Sequence, residues 1–463
     1  MGLLFWKNIA QRIENMIMKR IFTLAFAALL VSSTSWAQKV LTLEECIEIA
    51  LQSNLSIKRA KNSAEIARAQ YSQSKFNFLP SLGANASHNW FEGLSFDQTS
   101  GGLVNTTTLS GGGSVSANLT IFDGFSNVYG MQQAKAAFQS AEEAVKGSIQ
   151  ATQANIVSAF LNVISTRENL KQQEETRELL RQQMETAEKR ERAGVGNMEQ
   201  VYNFRSQIAQ TDLNIVNFRN TLESSKLTLI QLLLLDPSDD YEFQGITVND
   251  AELENEMASY GSVYERSLDF SPSVKSAELS LVASRKNMQM AKFAWMPSLT
   301  LGAGYGTSWS SNVRANDGSV VDLSTQFENN AAKSARFSLN IPLFNNMRTS
   351  TQLQTSKIQV LNSELGLEQA KNDLTNQVQQ AYLNLVNAKT TFAAAKESKL
   401  SLDQSFEFSK TRYENGTIDF VTYLQSLTAK NRGDFELIRS KYLILLRQFI
   451  LDIYTGELQE SGN

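Results

Sequence analysis

The residue types that could carry bond chemistry are few. The chain of 463 residues has one cysteine, Cys46, and one histidine, His88. A thiolate–imidazole pair would need these two side chains, 42 positions apart, to meet. One Cys and one His cannot make a Cys/His zinc cluster, and one Cys cannot close a disulfide within a chain. The run Gly111-Gly112-Gly113 has the small residues of a phosphate-cradling loop. It lacks the following Lys-Ser/Thr that would reach the phosphates, so it is no such cradle. No paired carboxylates recur in a catalytic setting. The residues point to no enzyme, no cofactor and no metal centre.

The positions around these groups speak for architecture instead. Lys and Arg number 43 against 47 Asp and Glu, a formal charge of −4 that gives no basic face for nucleic acid. Five prolines in 463 residues lie well below the average of about 5% and leave room for long helices. Met18-Lys19-Arg20, an apolar run over 21–31, and small residues at Ser35 and Ala37 form the pattern of a secretory signal peptide. Residues 1–37 are therefore expected to be a signal segment with an upstream extension. Its removal takes four basic residues and one acid, leaving 39 − 46 = −7. No later stretch has about 18 consecutive apolar residues, so entry into a membrane would be by strands.

The chain repeats itself. Residues 76–82 (FNFLPSL) match 293–299 (FAWMPSL), and Arg68 and Lys75 match Arg285 and Lys292, all at an offset of 217. Residues 119–124 (LTIFDG) match 341–346 (IPLFNN), and Arg190 and Gly194 match Arg412 and Gly416, at an offset of 222. The expected organisation is repeat 1 over 38–248 and repeat 2 over 249–463. Each reads helix, strand, loop, strand, long helix, tight turn, helix.

In repeat 1, strands are expected at about 80–91 and 113–122, joined by a Gly/Ser/Thr loop over 91–113. Leu82, Ala84, Ala86, His88 and Trp90 alternate with small polar residues, as do Val115, Ala117, Leu119 and Ile121. In repeat 2, strands are expected at about 297–309 and 335–344. Leu299, Leu301, Tyr305 and Trp309 share one face, and Phe337, Leu339 and Ile341 share another. Strands of about ten residues with one apolar face and terminal aromatics suit lipid contact, with His88 in an interfacial girdle. Four strands cannot close a barrel, which needs at least about eight, so several chains would have to share one. A soluble coiled-coil protein is the competing reading, and it leaves these strands without a purpose.

Residues 127–193 and 347–415 lack proline and would each span about 100 Å as a helix. Val378, Leu385, Phe392, Lys399, Phe406 and Tyr413 recur every seven, with Ala381, Ala388, Ala395, Leu402 and Ser409 as the companion series. That spacing predicts supercoiled helix packing. Residues 134–163 of the first long helix carry a similar series from Ala134 to Val163. Each long helix then ends in a tight turn, at 193–197 and 415–419. Gly194 and Gly416 suit the left-handed conformation, and Asn197 and Asp419 suit the cap of the returning helix. Gln200 stands at a capping-box distance from Asn197.

Taken in this order, the chain resembles the TolC-like outer-membrane efflux protein family. The resemblance rests on Leu43, Ile47, Ala50, Leu51 and Asn54, on the LPSL and MPSL strand entries at 79–82 and 296–299, on the FDG and FNN exits at 122–124 and 344–346, and on the two RxxxG turns. It covers 39–455 and implies a mostly helical protein of mixed α and β structure. The family's architecture is a homotrimer. Three chains with four strands each build one β-barrel in the outer membrane of a Gram-negative bacterium, surrounded by its lipid. A long periplasmic α-helical coiled-coil barrel continues it. Residues 236–262 and the chain after Tyr454 would form its equatorial segment.

The resemblance implies an exit duct for a tripartite efflux or secretion system. Substrate would come from an inner-membrane efflux pump or ABC exporter held by a periplasmic adaptor (membrane fusion) protein, and the tip would open like an iris. Adaptor contact would fall on Gly194, Val195, Gly196 and Asn197, and on Gly416, Thr417 and Ile418. Tyr413 matches a tyrosine that closes the iris. Where the family often places Asp six residues after the tip glycine, this chain has Gln200 and Thr422. An acidic ring there is not expected. The tip would be closed by neutral hydrogen bonds and tuned by Arg190 and Arg412, with Glu199 and Asp419 as the nearest acids.

Overall fold

The computed structural model describes residues 39–97, 101–246 and 249–457. The expected signal segment at 1–37 lies outside the described residues. In chain order the elements are β1 (Lys39–Leu41), α1 (Leu43–Ser53), α2 (Leu55–Phe76), β2 (Ser81–Asp97), β3 (Gly102–Asp123), α3 (Ser126–Arg192), α4 (Met198–Leu233) and β4 (Tyr241–Phe243). There follow α5 (Asp250–Leu253), α6 (Tyr260–Phe270), α7 (Pro272–Phe293), β5 (Ser298–Ser310), α8 (Leu323–Asn329), β6 (Ala332–Asn340), α9 (Arg348–Glu414) and α10 (Phe420–Thr455). No helix among the described residues is long and apolar enough to cross a membrane.

The chain forms two compact units, Met1–Ile49 with Ala159–Val248, and Ala50–Ser158 with Asn249–Asn463. These do not follow the expected boundaries of 38–248 and 249–463. The reason lies in the sheet: its strand order is β2-β3-β5-β6, so both sequence repeats contribute strands to one object in the second unit.

In the first unit, Thr42 and Glu45 start α1 with a reciprocal cap. Thr42 N donates to Glu45 Oε2 at 2.8 Å and Glu45 N donates to Thr42 Oγ1 at 3.2 Å. β1 pairs in parallel with β4. Phe243 of β4 packs edge-on against Phe160 of α3, and Arg167 Nη1 donates to the Phe243 carbonyl at 2.5 Å. Buried residues of α4 (Val201, Phe204, Thr211, Ile215, Leu222, Leu229) keep coiled-coil spacing.

In the second unit, Asn54 caps α2 by accepting from Ser56 N and Ile57 N, which separates α2 from α1. The four-stranded sheet is antiparallel throughout. Its register gathers the expected lipid-facing residues into rows: Leu82 with Ala117 and Ala303, Val115 with Tyr305, Leu119 with Leu301 and Phe337, and Leu299 with Leu339. Leu82, Trp90, Val115, Tyr305, Phe337 and Leu339 are exposed in the single chain. Alternate rows join mostly Ser, Asn, Thr and Gly, with Asp123, Ala332 and Arg336 among them. A β-bulge after Thr120 places Ile121 outside the regular register.

Two boundaries differ from expectation. Among the described residues, the segment expected as a loop over 91–113 is largely strand. β2 and β3 continue through it in register, from Phe91↔Thr108 to Asp97↔Gly102. Its threonines at 106–108 favour extended backbone although they show no apolar alternation. β6 ends at Asn340 rather than 344, because Pro342 has no N–H for the ladder. Ile341 is therefore beyond the strand, and still exposed.

The glycine run has a packing reason. A Cβ on Gly111 would lie 2.5 Å from the Ser87 carbonyl oxygen and 2.7 Å from Trp309 Nε1. A Cβ on Gly112 would lie 2.5 Å from the Thr307 carbonyl oxygen, whereas on Gly113 the nearest atom is 3.9 Å away. Trp309 thus lies over Gly111, flanked by His88 at 5.5 Å between ring centres. Gly112→Ala is expected to lose the folded, heat-modifiable form on denaturing gels, whereas Gly113→Ala keeps it. Equal behaviour of the two variants would contradict this packing.

The candidate functional site: two hairpin tips

Each tip is built by a helix that must stop and reverse. At the first tip, in the first unit, Gly194 adopts φ +75°. Val195 N donates to Arg190 O at 3.0 Å and Gly194 N donates to Glu191 O at 2.9 Å, the paired bonds of a Schellman end. At the second tip, in the second unit, Gly416 adopts φ +72°. Thr417 N donates to Arg412 O at 2.8 Å and Gly416 N donates to Tyr413 O at 2.9 Å. The arginines are thus placed by the same backbone geometry in both copies.

The caps also match in principle and differ in detail. Asn197 Oδ1 accepts from Glu199 N at 2.9 Å, and its amide reaches the Glu199 carboxylate at 3.4 Å. The cap thus bonds Glu199 through backbone and side chain, and the capping-box bond expected of Gln200 is not among these contacts. Asp419 Oδ1 accepts from Thr422 N at 2.8 Å. Hydrogen bonds from Thr422, side chain and backbone, hold the Asp419 carboxyl below its ordinary range. Thr422 and Asp419 therefore act together as one cap. Gly196 packs tightly as well: a Cβ there would meet Glu191 N at 2.5 Å. Ile418 stands at the equivalent place in the second copy and makes that turn bulkier. Val195 is the most exposed apolar side chain of the first tip, at 79%.

Tyr413 packs against the other aromatic residues of the second tip. It is buried, stacked on Tyr423 at 4.7 Å with an interplanar angle of 22°, and edge-on to Phe420 at 6.4 Å. Tyr423 is fully buried and also meets Phe406 at 5.9 Å. Burial, then the neighbouring Tyr413, Glu414 and Glu407, pushes the Tyr423 phenol far above its ordinary range, so it stays neutral. Phe420 and Tyr423 went unread in the sequence. The signal for them is the same 3-4 spacing continued into α10, at Phe420, Tyr423 and Leu427. The first copy has Met184, Glu191, Met198 and Val201 at the equivalent positions, so the aromatic cluster belongs to the second tip alone.

About 20 Å from the second tip by helix rise, a charged layer replaces an apolar one. Lys399, the odd member of the heptad series, lies 3.2 Å from Asp434 Oδ1 and also pairs with Asp403. Lys430 lies 2.6 Å from Asp434 and 3.7 Å from Asp403. The Asp434 side chain is 4% exposed. Burial works against the Lys399 charge, but hydrogen bonds to Asp403 and Asp434 hold its ammonium above the ordinary range.

The thiol has no catalytic setting. Cys46 is fully buried on α1, and burial, then Glu45 and Glu44, pushes its pKa up to about 12. A thiol in that state is a packed apolar group.

The chain is 25% identical over 419 residues to the cation efflux system protein CusC of Escherichia coli, covering 89% of this chain and 83% of that protein. It is 22% identical over 440 residues to the outer membrane protein TolC of Escherichia coli, covering 93% and 84%. Among solved structures, CusC superposes with a TM-score of 0.76 at 20% identity, over 91% of this chain and 94% of that one. The outer membrane protein VceC of Vibrio cholerae gives 0.74 at 16% identity, over 89% and 96%. The pattern of the family described as Outer membrane efflux protein matches residues 46–233 and 263–448, most of the chain, and the chain therefore belongs to that family.

Proposed function

We propose that this protein is the outer-membrane exit duct of a tripartite efflux or secretion system. Three copies close a 12-stranded barrel, and their helices continue it as a periplasmic tunnel. The duct conducts substrate passively from an inner-membrane pump and periplasmic adaptor, and its tips open and close. The observation that carries this reading is the sheet of β2, β3, β5 and β6. One of its faces is apolar and exposed, and its outer strands β2 and β6 have no further partner strand among the described residues. A sheet edge of that kind needs another chain. Long-helix residues such as Ile358, Leu361 and Leu365 are also exposed in one chain, at spacings that form a stripe. Further copies would bury them.

The tips are where an adaptor would dock, with Val195 and Thr417 foremost. Purified protein is expected to insert into planar bilayers and give discrete conductance steps; protein that stays soluble and silent would contradict the duct. A photo-crosslinking residue at Val195 or Thr417 is expected to capture a periplasmic adaptor in intact cells. Capture equal to that of a residue placed on mid-helix α4, such as Arg219, would remove the tips from the docking role.

A further inference from the structure

Strand lengths in the sheet do not match. β2 has 17 residues and β6 has 9. β5 pairs with β6 only as far as Gly306↔Ala332. Beyond that point α8 takes over the free edge of β5. Thr307 Oγ1 donates to Phe327 O at 2.8 Å, Asn330 Nδ2 donates to Ser308 O at 2.6 Å, and Ser310 N donates to Gln326 Oε1 at 2.9 Å. Gln326 is buried and its amide donates to Val321 O, which fixes α8 in place. Phe327 and Leu323 of α8, and nearby Val320, remain exposed.

β2 and β3 meanwhile run on past β5 as a two-stranded arm, from Trp90↔Leu109 to Phe96↔Leu103. The arm is tied at its base by Ser311 and Asn312, which bond Leu109 and Thr108. Alternation puts Trp90, Leu94 and Phe96 on one face with Leu103 and Leu109. Leu94 is 67% exposed, Phe96 61% and Leu103 69%. A lone two-stranded ribbon is marginal in water, and an apolar face on it calls for a partner.

Topology names that partner. In a closed antiparallel barrel, β6 of one copy must pair with β2 of the next, running the opposite way. β6 begins at Ala332, directly after α8. The outer excess of the neighbour's β2 therefore runs past β6 and meets α8. We infer that the arm of each copy clasps α8 of the adjacent copy, with Leu94 and Phe96 covering Leu323 and Phe327. This inference rests on the three-chain barrel proposed above. It gives the barrel an interchain lock outside the strands themselves.

Disulfide trapping in the full chain tests it, since Cys46 is buried and the native protein has no other thiol. The pairs Phe96→Cys/Phe327→Cys and Leu94→Cys/Leu323→Cys are to be oxidised in outer membranes. At least one pair is expected to give covalent two- and three-chain species on denaturing gels, and the four single variants none. Leu94→Ser/Phe96→Ser is expected to lower the temperature at which the oligomer dissociates in detergent. An oligomer of three chains by mass, with no covalent species from either pair and unchanged dissociation, would overturn the clasp and leave the barrel standing. Quenching of a fluorophore at Leu94→Cys by brominated lipid, without crosslinking, would place the arm in lipid and overturn it too. A single chain by mass would overturn the barrel itself.

Discussion

Tyr423→Ala is expected to loosen the second tip, so that bilayer recordings show longer openings than those of the native protein. Tyr423 is fully buried between Tyr413 and Phe406, and Phe420 closes the cluster across the turn. These rings join the last turns of α9 to the first turns of α10, on both sides of a five-residue reversal. Removing a buried aromatic ring costs roughly 3–5 kcal/mol, more than a capping bond at about 1 kcal/mol. The cluster, rather than the cap of Asp419, therefore holds this tip. Tyr413→Ala acts on the same stack and is expected to open the tip in the same direction. Tyr423→Phe keeps the stacking and is expected to behave as the native protein. Openings as long in Tyr423→Phe as in Tyr423→Ala would return the role to the hydroxyl. Tyr202→Ala, which removes an exposed ring from the first tip, is the control for a general loss of helix packing.

Asp434→Asn is expected to destabilise the α9–α10 hairpin by about 3 kcal/mol, the lower end for breaking a buried ion pair. The lower end applies because Lys399 and Lys430 keep 30% and 23% of their side-chain surface and are partly screened. In the variant, two ammonium groups share the single carboxylate of Asp403. The loss is to be read as an earlier helical melting transition in detergent. Replacing all four charges by leucine is expected to restore or exceed native melting, because the desolvation cost disappears with them. Its cost falls on register. Gly433 allows close helix approach here, since a Cβ would lie 2.8 Å from Leu402 Cδ1, and the charges allow only one alignment of α9 on α10. If the four-leucine protein melts as early as Asp434→Asn, electrostatic pairing is not what the layer supplies.

What could be read in the sequence followed the two periodicities. Leu82, Trp90, Val115 and Tyr305 were legible because a strand with one apolar face alternates strictly. Val378 to Tyr413 was legible because a coiled coil repeats every seven. Where a second partner decides the outcome, the sequence was mute. Lys399 stood out as a charge in an apolar series, but nothing in the sequence named Asp434, which lies 35 residues away on the returning helix. The outer halves of β2 and β3 were hidden because they have no second sheet face to bury, so Thr106 to Thr108 look like loop residues. The tip glycines could be read from their place after a helix. The need for Gly196 could not, because it comes from contact with the end of α3.

Three chains around one lumen is the claim from which the rest follows. Electron cryomicroscopy of the full-length protein in lipid nanodiscs tests it most directly. The expected map has three chains, with β2 of each paired to β6 of the next, twelve strands embedded in the disc, and helices extending from one side only. A particle with one chain, or one whose apolar sheet face is covered by protein instead of lipid, would contradict it.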